Sequence, residues 1–210
     1  MRRAIVIGLY TLAGLAALVV VGMGVWVFYV QNVEKPAYRV VLQDGAIEVR
    51  DYPALVIAEV TTTGDRRGAV NAGFRPLANY IFAKERTGDT IAMTAPVTQQ
   101  RSLSRNGNDD SWTVQFIMPS KYKLGDLPAP AGAKVQLKQV PASRRIAIRF
   151  SGVATDALIA EQEAVLRAWI AKGNLATLVA ATATYAYYND PFTPGPFRRN
   201  EVMFDVATKP

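Results

Sequence analysis

Two absences decide which residues can do chemistry here. The 210-residue chain contains no histidine and no cysteine. It therefore lacks the commonest general base and metal ligand, and it has no thiol nucleophile or disulfide framework. A hydrolytic reaction would need a carboxylate base such as Glu59, whose place in an alternating strand allows either an interior or a solvent position. No spacing demands such a reaction, and the chain is not expected to be an enzyme. Met93, Met118 and Met203 lie in apolar runs and read as core fillers. Tyr185, Tyr187 and Tyr188 are ordinary strand residues. Phe192 and Phe197 are different: they stand in the proline-rich stretch Asn189–Phe197, where packing has less need of aromatics. Arg198 and Arg199 follow directly. Arg198 can bind a ligand carboxylate, or it can pair with Glu201 and fix the strand.

These residues need elements to position them. Residues 4–30 carry no charge, and as a helix they would extend roughly 40 Å, enough to cross a bilayer. The basic start, Met1-Arg2-Arg3, marks a cytoplasmic end, and Trp26, Phe28 and Tyr29 mark the far interface. The run is long and lacks a small-residue cleavage site, so it reads as an uncleaved signal-anchor. The expected organisation is a basic N-terminus (1–3), a transmembrane helix (4–30), a linker (31–36) and one domain (37–210). This makes a single-pass protein of the inner membrane, with its domain periplasmic or otherwise extracytoplasmic. The net charge of +7 is spread over scattered Lys and Arg. It reads as solvated surface, and no nucleic-acid partner is expected.

Alternation and turn residues place strands at 38–42, 46–50, 55–63, 90–99, 112–118, 134–139, 144–150, 182–188 and 201–206. A helix over 66–84 carries Val70, Phe74, Leu77 and Ile81 on one face, with Pro76 inside it as a kink or a true start. A second helix over 156–172 is capped by Thr155 or Asp156 and buries Leu158, Val165, Trp169 and Ile170. Shifting the chain by 88 residues overlays Ile47 on Val135, Pro53 on Pro141, Val60 on Ile148, Gly64 on Gly152 and Leu77 on Val165. Two units, about 38–100 and 112–206, thus share one pattern. Paired units of this kind predict an α+β pseudo-twofold barrel with two flanking helices and a groove where the halves meet.

Five strings occur in an order that resembles the SOUL family of haem-binding proteins. They are Tyr52-Pro53-Ala54; Gly73 to Phe82; Ile91 to Val97; Phe116 to Tyr122; and Asn189 to Pro194 running into Arg198–Val202. The resemblance covers nearly the whole domain. It implies a distorted β-barrel with two flanking helices, related to the effector-binding domains of bacterial transcription regulators. The implied activity is reversible, non-covalent tetrapyrrole binding, mainly haem, in the role of carrier, buffer or sensor. Family members that hold haem in an apolar groove place it between the first helix and the loop before the last strand. Here that maps to the Val70–Ile81 helix and the Asp190–Arg199 loop. Phe74, Leu77, Ala78, Ile81, Phe192 and Phe197 would bury the macrocycle, and Arg75, Arg198 and Arg199 would meet its carboxylates. With no histidine, an axial ligand would have to be Tyr, Met or Lys, or the iron would go without one. The alternatives are a module for another small amphipathic ligand and a carboxylate-based hydrolase. Protein partners are left open.

Overall fold

A computed structural model describes residues 33–102, 111–173, 177–179 and 181–207, together with Gly14, Leu15, Ala17, Leu18 and Gly22. Contacts divide the chain into Met1–Val33 and Glu34–Pro210. In the first unit the five isolated residues are helical. The expected membrane run 4–30 otherwise lies outside the described residues, as do positions 103–110 of the polar loop after residue 101. Among the described residues no helix is long and apolar enough to cross a membrane.

The second unit is an α+β fold. Its elements are β1 (Arg39–Asp44), β2 (Ile47–Tyr52), β3 (Leu55–Thr63), α1 (Arg66–Ile81), β4 (Val97–Arg101), β5 (Ser111–Ile117), β6 (Gln136–Val140), β7 (Ser143–Phe150), α2 (Asp156–Gly173), β8 (Thr177–Leu178), β9 (Thr184–Tyr187) and β10 (Asn200–Ala207). Nine strands form one antiparallel sheet in the order β1-β2-β7-β10-β9-β4-β5-β3-β6, and the short β8 also pairs with β10. Among the described residues the ladder does not close into a barrel: β1 and β6 end it. Both ends are poor templates for further pairing, because β1 carries an irregularity between Val40 and Leu42 and β6 presents Lys138.

The 88-residue offset holds in the pairing register. Val60 faces Val114, and the shifted pair, Ile148 and Val202, is also partnered. Glu59 faces Gln136 as Ala147 faces Glu48. Val97 faces Tyr187, and the image pair is Tyr185 and Gln99. Strands are also exchanged between the units: β2 lies beside β7, and β6 beside β3. A pseudo-twofold axis thus passes between β4 and β9.

Each helix seals one core. The α1 core gathers Ala58, Val60, Leu77, Ile81, Val114 and Phe116; the α2 core gathers Ile47, Ile146, Ile159, Leu166, Val202 and Phe204. Asp65 starts α1 by accepting the Gly68 N–H at 2.8 Å. Thr155 does the same for Leu158 at 3.2 Å. α1 runs through Pro76 without stopping.

Three expectations shift. The strand expected over 90–99 begins only at Val97. Ahead of it, Ile91 donates to the Ile81 carbonyl and Ala95 to the Glu34 carbonyl, so these backbone groups serve the helix end and the N-terminal segment instead of a ladder. Glu34 is therefore already docked on the domain, and its side chain accepts from the Ser120 N–H at 2.7 Å. The buried stripe of α2 is Ile159, Leu166 and Ile170, one position on from most of the expected stripe. Val165 is 47% exposed, and the Trp169 indole reaches the surface carboxylate of Asp44 at 2.8 Å.

Candidate ligand-binding cleft

The N-termini of α1 and α2 approach each other over the sheet, joined by one side chain. Arg66 donates to Asp156 Oδ1 at 2.6 Å, to Tyr187 Oη at 2.8 Å and to the Ala154 carbonyl at 2.7 Å. Ala154 is the residue that the 88-residue offset places on Arg66. Tyr187 in turn donates to Gln99 Oε1 at 3.1 Å, and those two residues are likewise related by the offset. The axis region is thus a closed polar knot.

Beside the knot lies an open cleft of about 510 Å³, lined by Gly64, Asp65, Arg66, Arg101, Trp112, Asp156, Ile159, Ala160, Glu163 and Tyr185. This volume is within the range of small-molecule sites, roughly 300–1,000 Å³. The Trp112 and Tyr185 rings are 6.2 Å apart and tilted by 44°. Trp112 is pinned by its indole N–H to the Gly64 carbonyl at 3.0 Å, and Arg101 lies over its face. From α2, Glu163 accepts the Tyr185 phenol at 2.9 Å and pairs with Arg167 at 2.7 Å. Burial, together with the Glu163 charge, pushes the Tyr185 phenol above its ordinary value, so it stands protonated as a donor. The lining draws on both halves, where the internal repeat predicts a groove, but none of these residues is among the haem contacts expected from sequence. Gly64, in that lining, and its offset-related partner Gly152 mark equivalent turns, with φ of +107° and +108°.

A second hollow, about 460 Å³, runs past Pro76, Tyr80, Arg86 and Gly132. Its phenol, on Tyr80, is committed to the Pro128 carbonyl at 2.9 Å.

The residues expected to form the haem groove are divided by the fold. Leu77 and Ile81 are 0% and 1% exposed and belong to the α1 core; any amphipathic helix must bury such a face. Ala78 is half-buried, and Phe74 and Arg75 are exposed. Phe74 packs edge-on against Phe116, 5.2 Å between centroids. Phe192 and Phe197 are 82% and 70% exposed. They sit on a buttressed loop: Asp190 accepts the N–H groups of Phe192 and Thr193, and Arg198 donates to the Thr193 and Pro191 carbonyls at 2.6 and 2.5 Å. Phe116 pairs with Val97, and Val97 with Tyr187 at the root of this loop. Phe74 and the loop therefore flank the same end of the sheet, while the cleft opens toward the end marked by Arg101 and Trp112.

Both arginines of the loop are engaged within the protein. The expected pairing of Arg198 with Glu201 is made by Arg199 instead, at 2.7 Å, since residues two apart on a strand share a face. Glu201 also receives Arg50 through two bonds of 2.8 and 3.0 Å and the Tyr188 phenol at 2.8 Å. Burial alone would raise the Glu201 carboxyl; the Arg50 and Arg199 guanidiniums outweigh it and hold the group below its ordinary range. Met118 and Met203 are buried core residues. Glu59 is tied to Lys138 and to Gln115 at 3.1 Å, away from the cleft.

The sequence matches the SOUL heme-binding protein family over residues 33–205. The chain belongs to that family. No curated protein matches it. Among solved structures, the EcmrR C-terminal domain is similar with a TM-score of 0.52 at 13% identity, covering 82% of this chain and 99% of that one. A hydrolase from Listeria innocua gives 0.53 at 14% identity, covering 80% and 94%. EcmrR in a complex with DNA gives 0.54 at 11% identity, covering 78% of this chain and 57% of that one. At these identities the likeness is one of fold, that of effector-binding-like domains.

Proposed function

We propose that the domain is a binding module for a tetrapyrrole, haem foremost, held without histidine, and that it serves as a carrier, buffer or sensor. On this reading residues 4–30 anchor it in the inner membrane and the domain faces the periplasm. The observation that carries the reading is the family match across residues 33–205. The cleft sets the Tyr185 phenol beside the guanidiniums of Arg66 and Arg101, but the carboxylates of Asp65, Asp156 and Glu163 in the same lining oppose the acidic side chains of a haem. The outer face of Phe74, Phe192 and Phe197 is the other surface able to cover a macrocycle, and it is favoured by the exposure of its rings. A different flat amphiphile is the second reading, supported by a cleft that carries carboxylates and guanidiniums together.

The test is a haemin titration of the full chain in detergent, followed by the Soret band and tryptophan quenching. Protein-free detergent and an unrelated basic protein are the controls. A saturable one-to-one transition is expected. A linear response equal to the controls would reject haem and turn the search to other amphiphiles. Loss of binding in Trp112→Ala would locate the ring in the cleft, whereas loss in Phe192→Ala with Phe197→Ala would locate it on the outer face.

A further inference from the structure

We infer that the loop between β9 and β10 is a bilayer-contacting surface, with Phe192 and Phe197 set among the headgroups and upper acyl chains of the membrane that residues 4–30 enter. This rests on the anchor reading above and not on the tetrapyrrole one. It describes the haem-free chain, in which no macrocycle competes for the rings.

The loop holds its rings outward. Asp190 accepts the N–H groups of Phe192 at 2.7 Å and Thr193 at 3.1 Å, and the Thr193 hydroxyl at 2.8 Å. The Gly195 carbonyl takes the Gly152 N–H at 2.9 Å, which fastens the tip to the turn after β7. Val153, on that turn, lies against Gly195 and adds a third exposed apolar side chain. The backbone of the tip also suits a place without water. Pro191, Pro194 and Pro196 have no N–H to satisfy. The N–H groups of Phe192, Thr193 and Phe197 are already bonded within the loop. Lipid cannot replace the hydrogen bonds of water, so such a tip loses little by leaving it.

The occupant follows from where the chain enters the domain. Val97 pairs with both Tyr187 and Phe116, so the segments before Val97, after Tyr187 and after Phe116 leave the sheet at one end. The first holds Ala95, whose N–H donates to the Glu34 carbonyl at 2.9 Å. The second is the loop itself. The third holds Ser120, whose N–H donates to the Glu34 carboxylate at 2.7 Å. Residues 31–33 alone separate Glu34 from the charge-free run, a reach of at most about 11 Å. A run set in the bilayer thus holds this end of the sheet near the surface. Exposed Lys121 and Lys123 follow Ser120 and suit anionic headgroups. The carboxylates of these segments, Glu34, Asp126 and Asp190, each accept backbone N–H groups.

The test uses the full chain in vesicles of phosphatidylethanolamine and phosphatidylglycerol, without haemin. The chain has no cysteine, so Phe192→Cys, and Thr63→Cys at the far end of the sheet, each take a single spin label. Flotation establishes that the chain travels with the vesicles, and circular dichroism that each variant is folded. The label at 192 is expected to collide with dissolved oxygen more than with a water-soluble nickel chelate, and the label at 63 the reverse. Adding Phe197→Ser to Phe192→Cys should weaken the insertion equilibrium on the order of tenfold. A label at 192 as open to the chelate as the label at 63, in vesicles that carry the chain, would overturn the inference and leave the anchor reading standing. Equal lipid exposure of both labels would overturn it too. A chain that does not float with the vesicles would reject both.

Discussion

Glu201 shows how much one residue can hold. Its carboxylate is buried and meets two guanidiniums and a phenol, with Arg50 also bound by Glu48 at 2.6 Å and lying over the Tyr38 ring. Removing one member of a buried pair leaves the others charged and desolvated. Glu201→Ala is therefore expected to cost about 3–5 kcal/mol, read by urea unfolding. Because the folded-state carboxyl is depressed, its contribution is complete above the unfolded value near about 4.3. It is lost as pH falls through the folded value. The stability gap between wild type and Glu201→Gln should accordingly narrow below about pH 4; a gap constant down to pH 2 would show that the ion pairs do not depress this group.

At the scale of elements, α1 approaches β5 closely because residue 73 is glycine. A Cβ there would come within 2.7 Å of Val114 Cβ and Cγ2. Helix propensity favours alanine over glycine by about 1 kcal/mol, but overpacking opposes it by about 1–3 kcal/mol. Gly73→Ala is expected to be net destabilising, and Val114→Ala in the same chain should recover part of the loss. A Gly73→Ala protein that melts higher than wild type would show that the strand yields. Asp65→Ala removes the side-chain cap of α1 and should cost about 1 kcal/mol, measured by chemical denaturation.

The whole molecule is tied by exchanged strands. Since β2 completes the sheet of the second unit and β6 that of the first, neither unit has its own full set of ladders. Non-local pairing of this kind should make folding slow and cooperative. Fragment 34–110 is expected to lack fixed structure by itself and to gain it when mixed with fragment 111–210. Circular dichroism and near-ultraviolet signals report both. Independent cooperative melting of either fragment would contradict the interlocked architecture.

Sequence alone determined the elements and their duplication, because hydrophobic period, helix caps and turn glycines are local properties. Both helices, most strands, the 88-residue offset and the five family strings were legible in this way. What it could not determine was partnership. Whether Leu77 faces a groove or a core, whether Arg198 or Arg199 meets Glu201, and which face of α2 is buried all depend on neighbours far along the chain. A groove between the halves was legible from the repeat, but its lining was not, for the same reason: Trp112, Glu163 and Tyr185 belong to three separate elements, and only the antiparallel pairing about the β4–β9 axis brings a phenol, its carboxylate and an aromatic ring together.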